Sequence, residues 1–200
     1  MRIKSAVFSM ILGFAFHAAA VGQAAKAPAG SFLSHTEVAL VYDYVRTESV
    51  GYNSGSGSFS LSGVSAAGAY LLRPHLSAVL DFSGTHVNGV ENTGASLTML
   101  ISQVGGRYTL RPVRKVRPFV QVLGGEVHAT GAVYPPNAFT GGGGDSFAMT
   151  VGAGGDYSVN ALVAFRAQAD YLYTGLPNGG NNRQTDLRVG VGLVIRFGGR

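Results

Sequence analysis

The chain has 200 residues, of which 46% are hydrophobic and only 12% charged, with 30 glycines, 9 tyrosines, 11 phenylalanines and no cysteine. The length fits one domain, the glycine content argues against a helical bundle, and the missing cysteine excludes disulfides, thiolate chemistry and cysteine–zinc sites. The formal charge of +5 falls to +3 once Arg2 and Lys4 are removed with the leader described next, and no basic face with interleaved aromatics remains, so nucleic acid is not an expected partner.

Residues 1–24 read as a secretory signal peptide. "MRIK" is a positive n-region, "AVFSMILGFAFHAAA" an apolar core, and the small residues that follow allow cleavage after Ala20 or Ala24. The apolar run falls short of the roughly 20 residues that a spanning helix needs. Residues 25–35 form a short lead-in, and residues 36–200 the mature fold. Eight segments there alternate apolar and polar residues: 36–46, 58–72, 76–87, 97–110, 117–129, 146–158, 162–174 and 185–197. Their connections alternate too. "TESVGYNSGSG", "NGVENTGAS", "TGAVYPPNAFTGGGGD" and "GLPNGGNNRQ" are long and polar, whereas "RPH" and "SVNA" are short and "RPVRKVR" intermediate. Sorting long loops to one rim and short turns to the other is the habit of an up-and-down barrel in an outer membrane.

Alternate side chains of a strand point to opposite faces. Val38, Leu40, Tyr42 and Tyr44 therefore oppose Glu37, Ala39, Val41 and Asp43, and Phe165, Ala167, Ala169, Tyr171 and Tyr173 oppose Arg166, Gln168 and Asp170. The aromatic residues fall at two levels. Tyr42, Tyr44, Phe147, Tyr171 and Tyr173 form an upper one, and Tyr70, Tyr108, Phe119, Tyr157 and Phe197 a lower one. Two such levels are expected where a barrel meets both membrane–water interfaces, and they place the apolar face toward lipid. Two segments fit less well: Phe59 and Tyr70 differ in parity, and Gln121 shares a face with Phe119 and Leu123. A bulge in either strand would reconcile them.

In the last segment, "RVGVGLVIRF", the residues Val189, Val191, Leu193, Ile195 and Phe197 face lipid while Arg188 and Arg196 point inward, with Gly190 and Gly192 leaving room for long side chains. The predicted fold class is all-β, an eight-stranded antiparallel up-and-down transmembrane β-barrel. From about residue 35 to residue 200 the chain resembles the small eight-stranded outer-membrane barrels of Gram-negative bacteria, the OmpA/OmpX type. The resemblance rests on "PFVQVLGGEVHA", "FRAQADYLYTG" and the final "RVGVGLVIRFGG". It implies a C-terminal assembly signal at Gly192, Ile195 and Phe197, although "GGR" follows where the family often ends on the aromatic. It also implies outer-membrane lipid, lipopolysaccharide and the barrel-assembly machinery as partners, and the cell outer membrane as location.

No catalytic residue, cofactor or metal site is expected. "GGGGDS" and "GAGGDY" lack the spacing of phosphate loops, and His35, His75, His86 and His128 are dispersed. A third-ranked reading, a lipid-modifying enzyme, would need Asp81, Ser83, His86 and His128 to converge. "RPVRKVR" reads as a solvated periplasmic turn, with contact to anionic lipid or wall polymer as the alternative. The candidate lumen charges are Glu37, Asp43, Asp81, Glu126 and Asp170 against Arg107, Arg166, Arg188 and Arg196. Charges in a narrow lumen must pair or be hydrated. The preferred function is thus a filled barrel with a structural or surface-interaction role and an unassigned loop ligand; the alternative is a small diffusion pore. Tyr52, Tyr134 and Phe139, with Pro135 and Pro136, are the loop residues suited to recognition.

Overall fold

The computed structural model describes residues 35–50, 56–88, 96–131, 142–176 and 183–198. The predicted signal peptide, the lead-in before His35 and the loop residues Tyr52, Tyr134, Pro135, Pro136 and Phe139 lie outside these residues. The described chain forms eight strands: β1 (Thr36–Val50), β2 (Ser56–Arg73), β3 (Leu76–Asn88), β4 (Ser96–Thr109), β5 (Val116–Gly131), β6 (Gly142–Ser158), β7 (Val163–Thr174) and β8 (Gln184–Phe197). Each pairs antiparallel with the next, and β8 pairs with β1 from Thr36↔Phe197 to Thr47↔Asp186, so the sheet closes into a barrel.

Closure is staggered. Following paired residues around the wall leads from Thr36 through Tyr70, Ala78, Gly106, Val122, Val151, Tyr171 and Leu187 to Arg46, ten residues further along the strand it started from. Such a stagger tilts the strands about 35–45° from the barrel axis and leaves an interior just wide enough for side chains to fill. The short turns carry their own chemistry. Asn160 Oδ1 accepts hydrogen bonds from the backbone N–H of Leu162 (2.8 Å) and Val163 (2.7 Å), fixing the β6–β7 turn as an Asx turn.

The barrel is apolar outside and polar inside. Leu40, Val104 and Val191 are 63%, 61% and 57% exposed, while Asp43, Arg166 and Arg188 are buried. This inverts a soluble barrel and suits a hydrocarbon surround, in which only closed barrels and helices satisfy their backbone groups.

Two strands correct the sequence reading. Pairing runs without a shift through β1–β2, β4–β5 and β5–β6, and the register shift of β2–β3 falls between Leu71 and Arg73, beyond Tyr70, so neither doubtful strand contains a bulge that would rescue its parity. Phe59 simply points inward, while Tyr70 is exposed. Phe119, placed by sequence in the lower aromatic level, is buried in the lumen beside Gln121 and Leu123. The strands also run further than expected toward the long connections: β1 reaches Val50, β5 reaches Gly131, and β6 begins at Gly142.

Val104 lies on the outer wall of β4, midway between Leu100 and Tyr108, whereas Leu162 is exposed in a short turn. We expect Val104→Arg to cost about 2–4 kcal/mol of folding stability in lipid vesicles, and Leu162→Arg about 0–1 kcal/mol, as for arginine at the bilayer midplane and at its interface. Urea titration of both variants measures the difference.

Candidate functional site: the charged lumen

Inward side chains fill the barrel in layers. Near the short turns lies an ionic layer. Arg166 Nε donates to Asp156 Oδ1 (2.8 Å), Arg196 Nε to Glu37 Oε1 (3.1 Å), Arg196 to Asp156 Oδ2 (3.3 Å), and Arg117 to Glu37 Oε1 (3.4 Å). Phe119 stands within this layer, its ring centroid 4.5 Å from the guanidinium carbon of Arg107 and 4.8 Å from that of Arg166. An aromatic face stabilises a desolvated guanidinium by about 2 kcal/mol. Only glycine can stand opposite, because a Cβ on Gly154 would come within 2.6 Å of Phe119 Cζ.

Glutamines carry the network upward. Arg107 donates to Gln121 Oε1 (2.9 Å), Gln121 Nε2 donates to Asp170 Oδ1 (3.0 Å), and Gln168 Nε2 donates to Asp170 Oδ2 (3.0 Å). In this middle layer Arg188 donates from Nε to Asp170 Oδ2 (3.0 Å), reaches Asp81 at 3.6 Å, and bonds Ser83 Oγ at 3.4 Å. Asp43 belongs here too, since a Cβ on Gly190 would lie 2.7 Å from its Oδ1. Above, toward the long connections, an apolar layer of Val45, Leu61, Met99, Ile101, Val127 and Leu172 fills the lumen, with Phe59 packed against it. Asp186 is buried near this layer, opposite Thr47 on β1.

The charges are therefore sorted by height. The lower layer sets the two carboxylates of Glu37 and Asp156 among Arg107, Arg117, Arg166 and Arg196, whereas the middle layer sets Asp43, Asp81 and Asp170 around Arg188.

Eight of the nine sequence candidates, Glu37, Asp43, Asp81, Arg107, Arg166, Asp170, Arg188 and Arg196, are on the inner face. Glu126 is the exception and needs correction: it is exposed on the outer wall, paired with Phe147 across β5–β6. With no bulge in β5, the inward parity of Phe119, Gln121 and Leu123 carries through and turns Glu126 outward. Asp156, Asp186, Arg117 and the three buried glutamines Gln103, Gln121 and Gln168 were missed as charge-network members. Parity could have found Asp156, which lies two residues beyond Gly154 and opposes Tyr157, and Asp186, one alternation before Arg188. Gly192 also departs from its expected role. A Cβ there would meet the backbone oxygen of Leu40 at 2.1 Å, so this glycine allows close strand approach rather than making side-chain room. Ile195 and Phe197, the other two positions of the assembly motif, face outward.

The four residues that the lipid-modifying reading needs, Asp81, Ser83, His86 and His128, do not converge. Asp81 and Ser83 are buried inside. His86 sits on the outer wall, bonded to Thr98 Oγ1 (2.8 Å) and Asn88 Oδ1 (3.0 Å), and His128 pairs with Asp145. The barrel wall separates the two pairs.

Removing one member of a buried ion pair leaves the other uncompensated. We expect Arg188→Ala to destabilise the barrel by about 3–5 kcal/mol, and Arg188→Ala/Asp170→Ala to cost less than the sum of the two single changes. Glu126→Ala should stay within about 0.5 kcal/mol of wild type, as for an exposed site. Urea unfolding in vesicles reads the four variants against wild type.

No family model matches the chain, and no curated protein matches it. Solved structures do. Neisserial surface protein A superposes with a TM-score of 0.65 at 17% identity, covering 82% of this chain and 98% of that one. Ail, the attachment invasion locus protein of Yersinia pestis, gives 0.54 at 15% identity over 82% and 99%. The outer-membrane protein OprG of Pseudomonas aeruginosa gives 0.50 at 12% identity over 82% and 97%. With its closed antiparallel topology, apolar exterior and polar lumen, the chain has the fold of the small eight-stranded outer-membrane β-barrels.

Proposed function

We propose that this protein is exported to the outer membrane, where its barrel serves as a closed mount and the long connections make its contacts. The observation that carries this reading is the filling of the lumen at every level. Arg196 and Asp156 below, Arg188 and Asp170 in the middle, and Leu61 and Val127 above are each 5% exposed or less. A water-filled path would leave such side chains wet. In this account residues 1–24 direct export, with cleavage after Ala20 or Ala24. Gly192, Ile195 and Phe197 present the final strand to the barrel-assembly machinery, and the outer wall contacts phospholipid and lipopolysaccharide. The same burial argues against the diffusion-pore alternative, and the separation of His86 and His128 from Asp81 and Ser83 argues against a lipid-modifying enzyme. Long connections on a rigid scaffold are where recognition residues concentrate. Ail, a neighbour in fold, bears the name of an attachment protein.

The test combines location with conductance. The protein should fractionate with the outer membrane, shift in gel mobility on boiling, and remain silent in planar bilayers. Steady wild-type conductance would replace this reading with the pore, and recovery as a heat-insensitive periplasmic protein would remove both.

A further inference from the structure

The rim of short turns carries an unusual concentration of positive charge. Arg73 in β2 and Arg111, Arg114 and Lys115 in the β4–β5 connection are all exposed. None of the four has a carboxylate within ion-pair distance among the described residues. No acidic side chain is exposed at this rim among those residues either, whereas Glu126 and Asp145 are exposed toward the opposite end.

The backbone holds these cations at a cost. Val113 and Val116 exchange backbone hydrogen bonds of 2.9 and 3.1 Å, making a two-residue hairpin with Arg114 and Lys115 at its tip. Arg114 has φ 57°, a left-handed conformation. Glycine, asparagine or aspartate suits such a position, and an ordinary side chain there is strained. The chain nevertheless places a guanidinium where the turn favours an uncharged or acidic residue.

Beside the cations lies an apolar shelf. Tyr108, Leu110 and Val113 are 49%, 44% and 66% exposed, and with His75, Arg111 and Pro118 they line a shallow recess of about 510 Å³. The His75 and Tyr108 rings pack 5.8 Å apart between centroids, and the backbone N–H of Thr109 donates to His75 O (2.8 Å), tying the two neighbouring turns together. Cations next to an apolar shelf, just beyond the lower aromatic level, match a molecule that is anionic at one end and greasy at the other.

We propose that this rim binds the headgroup of an anionic phospholipid in the periplasmic leaflet. The guanidinium groups and Lys115 engage the phosphate, and the shelf takes the start of the acyl chains. The proposal rests on the outer-membrane reading above. An acidic wall polymer in the periplasm would use the cations and leave the shelf uncovered, so lipid is the better match.

The test uses the folded chain in phosphatidylcholine vesicles doped with spin-labelled phosphatidylglycerol or spin-labelled phosphatidylcholine, reading the lipid fraction immobilised by the protein. Phosphatidylglycerol should be preferred at least about threefold, since each basic residue near an anionic surface contributes measurable attraction. The combined variant Arg73→Gln/Arg111→Gln/Arg114→Gln/Lys115→Gln should reduce the preference to near one, and Glu126→Gln/Asp145→Asn should leave it in place. Equal association of both lipids with inserted wild-type protein overturns the lipid site while the outer-membrane reading stands; so does a preference that survives the fourfold variant. Charge-dependent co-sedimentation with purified sacculi, without lipid preference, overturns it in favour of the polymer. A chain that fails to insert, with no gel shift on boiling, overturns both proposals.

Discussion

Backbone hydrogen bonding in hydrocarbon is the constraint on which the rest of this structure depends. An unsatisfied N–H or C=O in lipid costs several kcal/mol, so the sheet can have no edge. Pairing β8 with β1 removes it, and the ten-residue stagger of that closure sets the strand tilt and with it the bore. Once the wall is closed, every second side chain must lie in a narrow tube and the others on the outer wall. The apolar exterior and the ionic lumen are two consequences of one ladder.

The lumen then has to resolve its own electrostatics. Guanidinium groups are suited to this because one planar fork can serve several oxygens. Arg196 reaches Glu37, Asp156 and Ser158, and Arg188 reaches Asp170, Asp81 and Ser83. The glutamines Gln121 and Gln168 supply neutral donors to Asp170 where further arginines would overcrowd the tube. Glycine sets the remaining space: a Cβ on Gly152 would lie 1.8 Å from Asp170 Oδ1, and one on Gly154 would strike Phe119. The glycine-rich "GAGGDY" stretch thus leaves the room that Phe119 and Asp170 occupy. Sorting of charge by height, with arginine in excess toward the short turns and aspartate in excess above, gives the same polarity as the basic rim outside.

Strand number, face assignment and most lumen charges were legible in the sequence, because a period of two survives wherever one face meets lipid. Legibility failed where that contrast was weak. In β5 the inward set contains Phe119 and Leu123 as well as Gln121, so hydrophobicity pointed the wrong way and carried Glu126 with it. Phe119 is inside because two arginines need its ring, a tertiary reason that no local pattern records. The ends of β1, β5 and β6 were cut short because glycine, serine and threonine keep a ladder without alternating. Gly192 was read as room for a side chain, while its neighbour is the Leu40 backbone, which only the β1–β8 register reveals.

A lumen filled by side chains is the central claim, and a chain without native cysteine permits a direct measurement of it. Ser65 points inward on β2 at 2% exposure, and its hydroxyl can be replaced by a thiol with little change in volume. The reaction rate of Ser65→Cys with a small charged thiosulfonate should be measured in vesicles, for the folded protein and again after unfolding. A filled lumen predicts near-silence when folded and full reaction when unfolded. Reaction of the folded barrel at a rate approaching that of the unfolded chain would contradict it.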